Sequence, residues 1–126
     1  MEAYIFLGPE LGKKQDAVDA VRKKHKDAEE SFFYAGETPV STIGDTLQNI
    51  SLFAQERIVI IKNSELIKKK DEVDFLVSCI KNLEDNTVLI LLSDEIRLTA
   101  ALDDAVPKAN RQIFYEMFER EKNEWL

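Results

Sequence analysis

Two six-residue blocks, Arg57-Ile58-Val59-Ile60-Ile61-Lys62 and Thr87-Val88-Leu89-Ile90-Leu91-Leu92, hold unbroken apolar runs, Ile58–Ile61 and Val88–Leu92, with no polar alternation. A strand with one wet face alternates with period two, so an unbroken block of this length has to be covered on both faces. Covering both faces of neighbouring strands calls for a parallel sheet between two layers of helices. The intervening sequence supplies helices: Val73, Leu76, Val77 and Ile80 recur at i, i+3, i+4 and i+7, predicting a helix from about Asp71 to Leu83.

The same alternation extends through the chain. Ala3-Tyr4-Ile5-Phe6-Leu7 reads as a first strand ending at the turn signal Gly8-Pro9, and a helix follows from Lys13 to His25 on Ala17, Val18, Val21 and His25. Ser31 to Tyr34 reads as a second strand, closed by Ala35-Gly36 and Pro39. Ser41 or Thr42 is placed to cap a short helix whose inward face is Ile43, Leu47 and Ile50. Beyond the second apolar block, Ile96 to Val106 reads as helical and stops before Pro107. Arg111 to Phe114 reads as a fifth strand leading into a helix from about Glu116. Strands and helices in strict alternation require right-handed crossovers. The expected fold is α/β, a three-layer, doubly wound parallel five-stranded sheet with helices on both faces. The chain ends at Trp125-Leu126 inside a helical pattern, which reads as one domain, residues 1–126, of a longer protein.

Composition narrows the function. The formal charge of −7 among 126 residues argues against unaided nucleic-acid binding, which needs a clustered basic footprint. The densest basic run, Lys68-Lys69-Lys70, is followed at once by Asp71 and Glu72 and reads as a solvated turn. One cysteine, Cys79, rules out an internal disulfide framework and sits in an apolar helical pattern as a packing thiol. Residues 1–8 lack the basic start and apolar length of a signal peptide, and no run reaches membrane-spanning length, so a cytoplasmic location is expected. His25, the one histidine, lies on a lysine-rich helix and reads as a surface or boundary residue, and no metal-ligand or nucleophile set assembles around it.

A phosphate-binding loop belongs after the first strand, and Gly8-Pro9-Glu10-Leu11-Gly12-Lys13-Lys14 stands there, resembling G-x-x-x-x-G-K-[ST]. A working loop wraps backbone N–H groups around the phosphates, extends a lysine to the outer ones and places a hydroxyl on Mg²⁺. This loop is one residue short, Lys14 replaces the hydroxyl, and Glu10 brings negative charge to the phosphate seat. The third strand, which should end in a metal-holding acid, runs instead into Lys62-Asn63. Asp94-Glu95 follows the fourth strand, one strand too late, and is expected to cap the next helix. Gly8, Gly12, Lys13 and Lys14 are therefore expected to form a non-functional phosphate loop, with no cofactor and no metal. The competing reading is a degenerate P-loop protein that still holds a nucleotide; a generic receiver-like module fits less well, because its acidic cluster is lacking at the other strand ends.

Between the short second helix and the third strand lies Gln48-Asn49-Ile50-Ser51-Leu52-Phe53-Ala54. Adjacent Leu52 and Phe53 cannot both point into one core from a regular element. Either the pair is exposed, or it folds back over the sheet edge. Ser51-Leu52-Phe53-Ala54, then Gln55-Glu56-Arg57 and the apolar strand, resembles the delta subunits of bacterial DNA polymerase III clamp loaders. Tyr4-Ile5-Phe6-Leu7-Gly8 and Gln15 resemble the start of that family, and Asn49 to Phe53 resembles its clamp-binding pentapeptide, with Asn49 where the family has Gln. The resemblance covers all 126 residues as the family's first, AAA+-like domain, without the lid and collar domains. It implies a non-catalytic subunit of the polymerase holoenzyme, acting in DNA replication. Ile50, Ser51, Leu52 and Phe53 would grip the sliding clamp (the beta subunit) and help open it, while neighbouring subunits (gamma/tau, delta prime) hydrolyse ATP. Primer–template DNA would be met only through the assembled loader.

Overall fold

The computed structural model describes residues 2–48 and 56–115. Five strands, β1 (Glu2–Leu7), β2 (Glu29–Tyr34), β3 (Arg57–Lys62), β4 (Thr87–Leu92) and β5 (Arg111–Ile113), form one sheet in the order β2-β3-β4-β1-β5, parallel throughout. Four helices connect them: α1 (Leu11–Lys24), α2 (Val40–Gln48), α3 (Lys70–Lys81) and α4 (Ala100–Ala105). The architecture is the α/β parallel five-stranded sheet between helices expected from the two apolar blocks.

Those blocks, β3 and β4, lie side by side, Ile58 against Val88 and Ile60 against Ile90. Alternate residues face opposite layers. Val59, Ile61, Leu89 and Leu91 join Ile43, Leu47, Val73, Leu76 and Ile80 in the larger core under α2 and α3. Ile58, Ile60, Val88 and Ile90 join Phe6, Val18 and Val21 in a smaller core under α1. Helix α2 lies close on α3: a Cβ on Gly44 would sit 2.3 Å from Cε2 of Phe75. Cys79 is buried in this layer, and burial, reinforced by the nearby Asp45 carboxylate, pushes its thiol pKa up.

Several boundaries differ from expectation. Strand β2 starts at Glu29, two residues early, because an edge strand can carry exposed Glu29 and Glu30 on its outer half. Helix α1 starts at Leu11 rather than Lys13, and α2 at Val40, directly after Pro39. Helix α4 is a short Ala100–Ala105 rather than a helix from Ile96 to Val106. The stretch before it is irregular, and Thr99 at its start spends its hydroxyl on the Ile67 carbonyl at 3.0 Å. Lys68, Lys69 and Lys70 are exposed, with Lys70 opening α3. The extension of α2 to Ile50, the Leu52–Phe53 pair and the helix from Glu116 fall outside the described residues. Among the described residues no helix is long and apolar enough to cross a membrane.

Candidate functional site

The loop after β1 sits where the strand order places it, at the C-terminal ends of β1 and β4. Gly8 has φ +105°, and a Cβ there would lie 2.1 Å from the Phe114 carbonyl oxygen, so only glycine fits. Its N–H donates to the Glu95 carbonyl at 2.9 Å, and the Glu10 N–H donates to the Phe114 carbonyl at 3.3 Å. The Phe114 N–H in turn donates to the Leu7 carbonyl at 2.7 Å, so the loop is stitched to the end of β5.

Helix α1 then opens on Glu10 as its N-cap. The Glu10 Oε1 accepts from the backbone N–H of Gly12 at 2.7 Å and of Lys13 at 3.3 Å. These are the free donors at the positive end of a helix, the groups that hold phosphate in a working loop. Here the chain's own carboxylate takes them. Lys14 is buried, with its Nζ donating to the Ser93 carbonyl at 3.0 Å and to Asp94 Oδ1 at 2.7 Å. The residue that stands where a hydroxyl would reach Mg²⁺ thus delivers an ammonium, and the acid beyond β4 is engaged by it.

Asp94 and Glu95 do not cap a helix, contrary to expectation. Asp94 pairs with Lys14, the Glu95 N–H donates to Ser93 Oγ at 3.0 Å, and α4 begins at Ala100. At the end of β3, Asn63 adopts a left-handed conformation (φ 59°), and Lys62 lays its ammonium 5.9 Å from the centre of the Tyr34 ring. Lys13 is exposed. A cavity beside the loop is bordered by Leu11, Lys14, Phe32, Lys62 and Asp94. No group of three or more potential metal ligands occurs among the described residues. The structure therefore brings Gly8, Gly12, Lys13 and Lys14 together as one loop. The other expected site residues, Ile50, Ser51, Leu52 and Phe53, lie outside the described residues.

Two polar clusters at the opposite end of the sheet were missed in the sequence. His25, at the C-terminus of α1, places Nε2 2.7 Å from Glu2 Oε2 and Nδ1 2.5 Å from Glu56 Oε2. Ionised carboxylates only accept, so both contacts are made together by the protonated imidazole, with each ring nitrogen donating. The hydrogen bond to Glu2, strengthened by Glu56 against the opposing effect of burial, raises the His25 pKa. Arg57, on the inward parity of β3 with Val59 and Ile61, is buried and donates from Nη2 to the Leu47 carbonyl at 3.3 Å. A charged residue at the inward-facing start of an apolar strand was the available signal for Arg57. Nothing in the linear pattern joined His25 to Glu2 and Glu56.

The sequence profile of the family described as "DNA polymerase III, delta subunit" matches residues 4–111. Among solved structures, the Bacillus subtilis DNA clamp loader delta protein is similar with a TM-score of 0.75 and 23% identity, covering 99% of this chain and 41% of that one. A DNA polymerase III gamma subunit-related protein from Thermotoga maritima is similar with a TM-score of 0.63 and 15% identity, covering 96% and 43%. A mutant of Thermotoga maritima RuvB follows with a TM-score of 0.59 and 13% identity, covering 95% and 41%. These likenesses establish the fold, and the chain spans about two fifths of the length of each of the three. No curated protein matches the sequence.

Proposed function

The chain belongs to the DNA polymerase III delta-subunit family, and from that premise we propose that it is the family's first domain, which grips the sliding clamp and opens it without hydrolysing ATP. One observation carries the nucleotide-free half of this reading. Glu10 occupies the Gly12 and Lys13 amides, and Lys14 and Asp94 neutralise each other where phosphate and metal would be held. An incoming triphosphate would have to displace a carboxylate already at the helix terminus and would gain no free metal ligand from Asp94.

The clamp-binding half is supported by family membership and by Ser51-Leu52-Phe53 standing between α2 and β3. Leu52 and Phe53 would enter a hydrophobic pocket on the clamp, each contributing roughly 1.5–3 kcal/mol on full burial. Ile50 and Ser51 complete the contact. Two such anchors supply most of the energy of a modest interface. Hydrolysis then belongs to neighbouring subunits of the gamma/tau and delta prime kind, and primer–template DNA is met through the assembled loader, in the cytoplasm.

Calorimetric titration against the sliding clamp of the same organism tests this, beside a Leu52→Ala/Phe53→Ala variant. Micromolar or tighter binding that the variant abolishes is the expected result. Equal binding, or none by either protein, overturns the role given to residues 50–53. A parallel titration with Mg²⁺–ATP is expected to show no heat of binding, and saturable binding lost on Lys13→Ala would overturn the nucleotide-free reading.

A further inference from the structure

Strand β2 lies at one end of the sheet and pairs with β3 alone among the described strands. The Glu29 N–H donates to the Glu56 carbonyl and the Ala35 N–H to the Lys62 carbonyl, both at 2.9 Å. Alternate residues of a strand bond the same neighbour, so Glu29, Ser31, Phe33 and Ala35 turn their backbone groups towards β3. Glu30, Phe32 and Tyr34 turn theirs away from it. The Tyr34 carbonyl already accepts from the Glu37 and Thr38 N–H groups at 3.1 Å. The outer edge therefore offers the N–H groups of Glu30, Phe32 and Tyr34 and the carbonyls of Glu30 and Phe32.

The side chains of the same three residues stand on the α1 face. Glu30 accepts from Arg22 Nε at 3.0 Å, and Phe32 borders a cavity with Val18 of α1. Helix α1 leaves the margin beyond them uncovered: Phe32 is 46% and Tyr34 41% exposed, with ring centres 5.2 Å apart. Protected edges carry charge or proline where a strand would dock. On β2 the negative charge is confined to the first two residues, Glu29 and Glu30. The other end is marked by a cation. Lys62, the β3 residue beside Tyr34, lays its ammonium over the Tyr34 ring and has no ion-pair partner among the described residues.

We propose that β2 pairs with β2 of a second copy of this chain, antiparallel about a two-fold axis at Phe32, joining the two sheets into one. Charge selects the direction. Antiparallel pairing lays the acidic start of each strand beside the Tyr34–Lys62 end of the other, whereas parallel pairing sets Glu29 and Glu30 against their own copies. The backbone selects the register. Centring on Phe32 opposes Phe32 to Phe32 and Glu30 to Tyr34, the one alignment that matches all three outward-facing residues. Each Phe32 then exchanges both its bonds with its copy, and each Tyr34 N–H donates to the Glu30 carbonyl opposite. The Glu30 N–H gains no bond, because the Tyr34 carbonyl is taken. With the axis normal to the sheet, Phe32 and Tyr34 of both copies gather on one face. The contact is isologous and closes at two copies.

The test is sedimentation equilibrium of the chain at rising concentration, with amide hydrogen exchange alongside. The contact is small, so a dissociation constant on the order of 100 μM is expected. The mass should climb from 14.5 kDa towards twice that value and no further. The Phe32 and Tyr34 amides should gain protection with concentration, and the Glu30 amide should not. Phe32→Lys sets two like charges together at the axis and should weaken association about tenfold. Lys62→Glu should weaken it about threefold at low salt, and less at high salt. Circular dichroism confirms folding, and if Phe32→Lys fails to fold, Lys62→Glu and the exchange pattern decide. A chain that stays monomeric to about 1 mM overturns the proposal and leaves the edge to a strand of another protein. Association that survives Phe32→Lys, or that protects amides elsewhere and not those of Phe32 and Tyr34, overturns it as well.

Discussion

Lys14 and Asp94, eighty residues apart in sequence, meet in a 2.7 Å ion pair just beyond the end of β4, with the lysine buried and the carboxylate largely in water. The ammonium also donates to the Ser93 carbonyl. A buried cation that loses its partner is costly, whereas removing the cation leaves Asp94 free to hydrate. Asp94→Asn, which leaves the buried ammonium with the Ser93 carbonyl alone, is therefore expected to lower stability by about 2 kcal/mol and Lys14→Ala by less, about 1 kcal/mol. Urea denaturation of the two variants checks the order.

Glu10 is expected to behave as a helix cap. Glu10→Ala should cost about 1 kcal/mol, and Glu10→Ser, which also accepts from the first-turn amides, should recover most of it. Thermal unfolding of both variants in one buffer makes the comparison.

Gly8→Ala places a methyl group against the Phe114 carbonyl in a backbone conformation that L-residues avoid. The loop cannot retain both its hydrogen bond to Glu95 and its approach to β5. A loss of about 3 kcal/mol or more is expected, read as a fall in the denaturation midpoint.

His25 fixes the sign of one pH effect. Its folded pKa is raised above the unfolded value, first by the Glu2 hydrogen bond, so protonated His25 stabilises the fold. That contribution is fully present below about pH 6.5, the ordinary histidine value, and is lost as pH rises through the raised folded pKa. Wild type minus His25→Gln stability, measured from pH 6 to pH 9, should shrink as the pH rises. A difference that grows instead would contradict the doubly hydrogen-bonded imidazolium.

Cys79 should resist thiol reagents in the native protein. Burial raises its pKa, so little thiolate is present near neutrality, and the side chain is enclosed between α2 and α3. The rate of disulfide exchange with a chromogenic reagent should rise steeply only at the unfolding transition.

The sheet was legible because β3 and β4 are apolar on both faces, a pattern that only a covered parallel strand tolerates. The edge strand β2 was read two residues short, since the solvent-facing side of an edge carries charge and Glu29-Glu30 looks like a loop. Helix α4 was read too long because Leu98 stands at helical spacing from Ala101, Leu102 and Ala105, while Thr99 in fact turns its hydroxyl to the Ile67 carbonyl. At the loop, the charge of Glu10 and the substitution at Lys14 were plain from residue type alone. Their partners were not: the Glu10 contacts depend on a backbone turn, and the Lys14–Asp94 pair on two strands meeting side by side. The same holds for His25 with Glu2 and Glu56, which come together only where strands from three parts of the chain begin.

The position of β1 has a consequence for synthesis on the ribosome. It is made before the other four strands of this sheet, yet it lies between β4 and β5, pairing Glu2 with Val88 and Leu7 with Ile113. Strands β2 and β3 can pair as soon as both have left the exit tunnel, whereas Tyr4-Ile5-Phe6-Leu7 remains a bare apolar string until the last third of the domain emerges. Until β4 and β5 are made, this apolar segment of the nascent domain has no strand to pair with, and its burial marks the completion of the sheet.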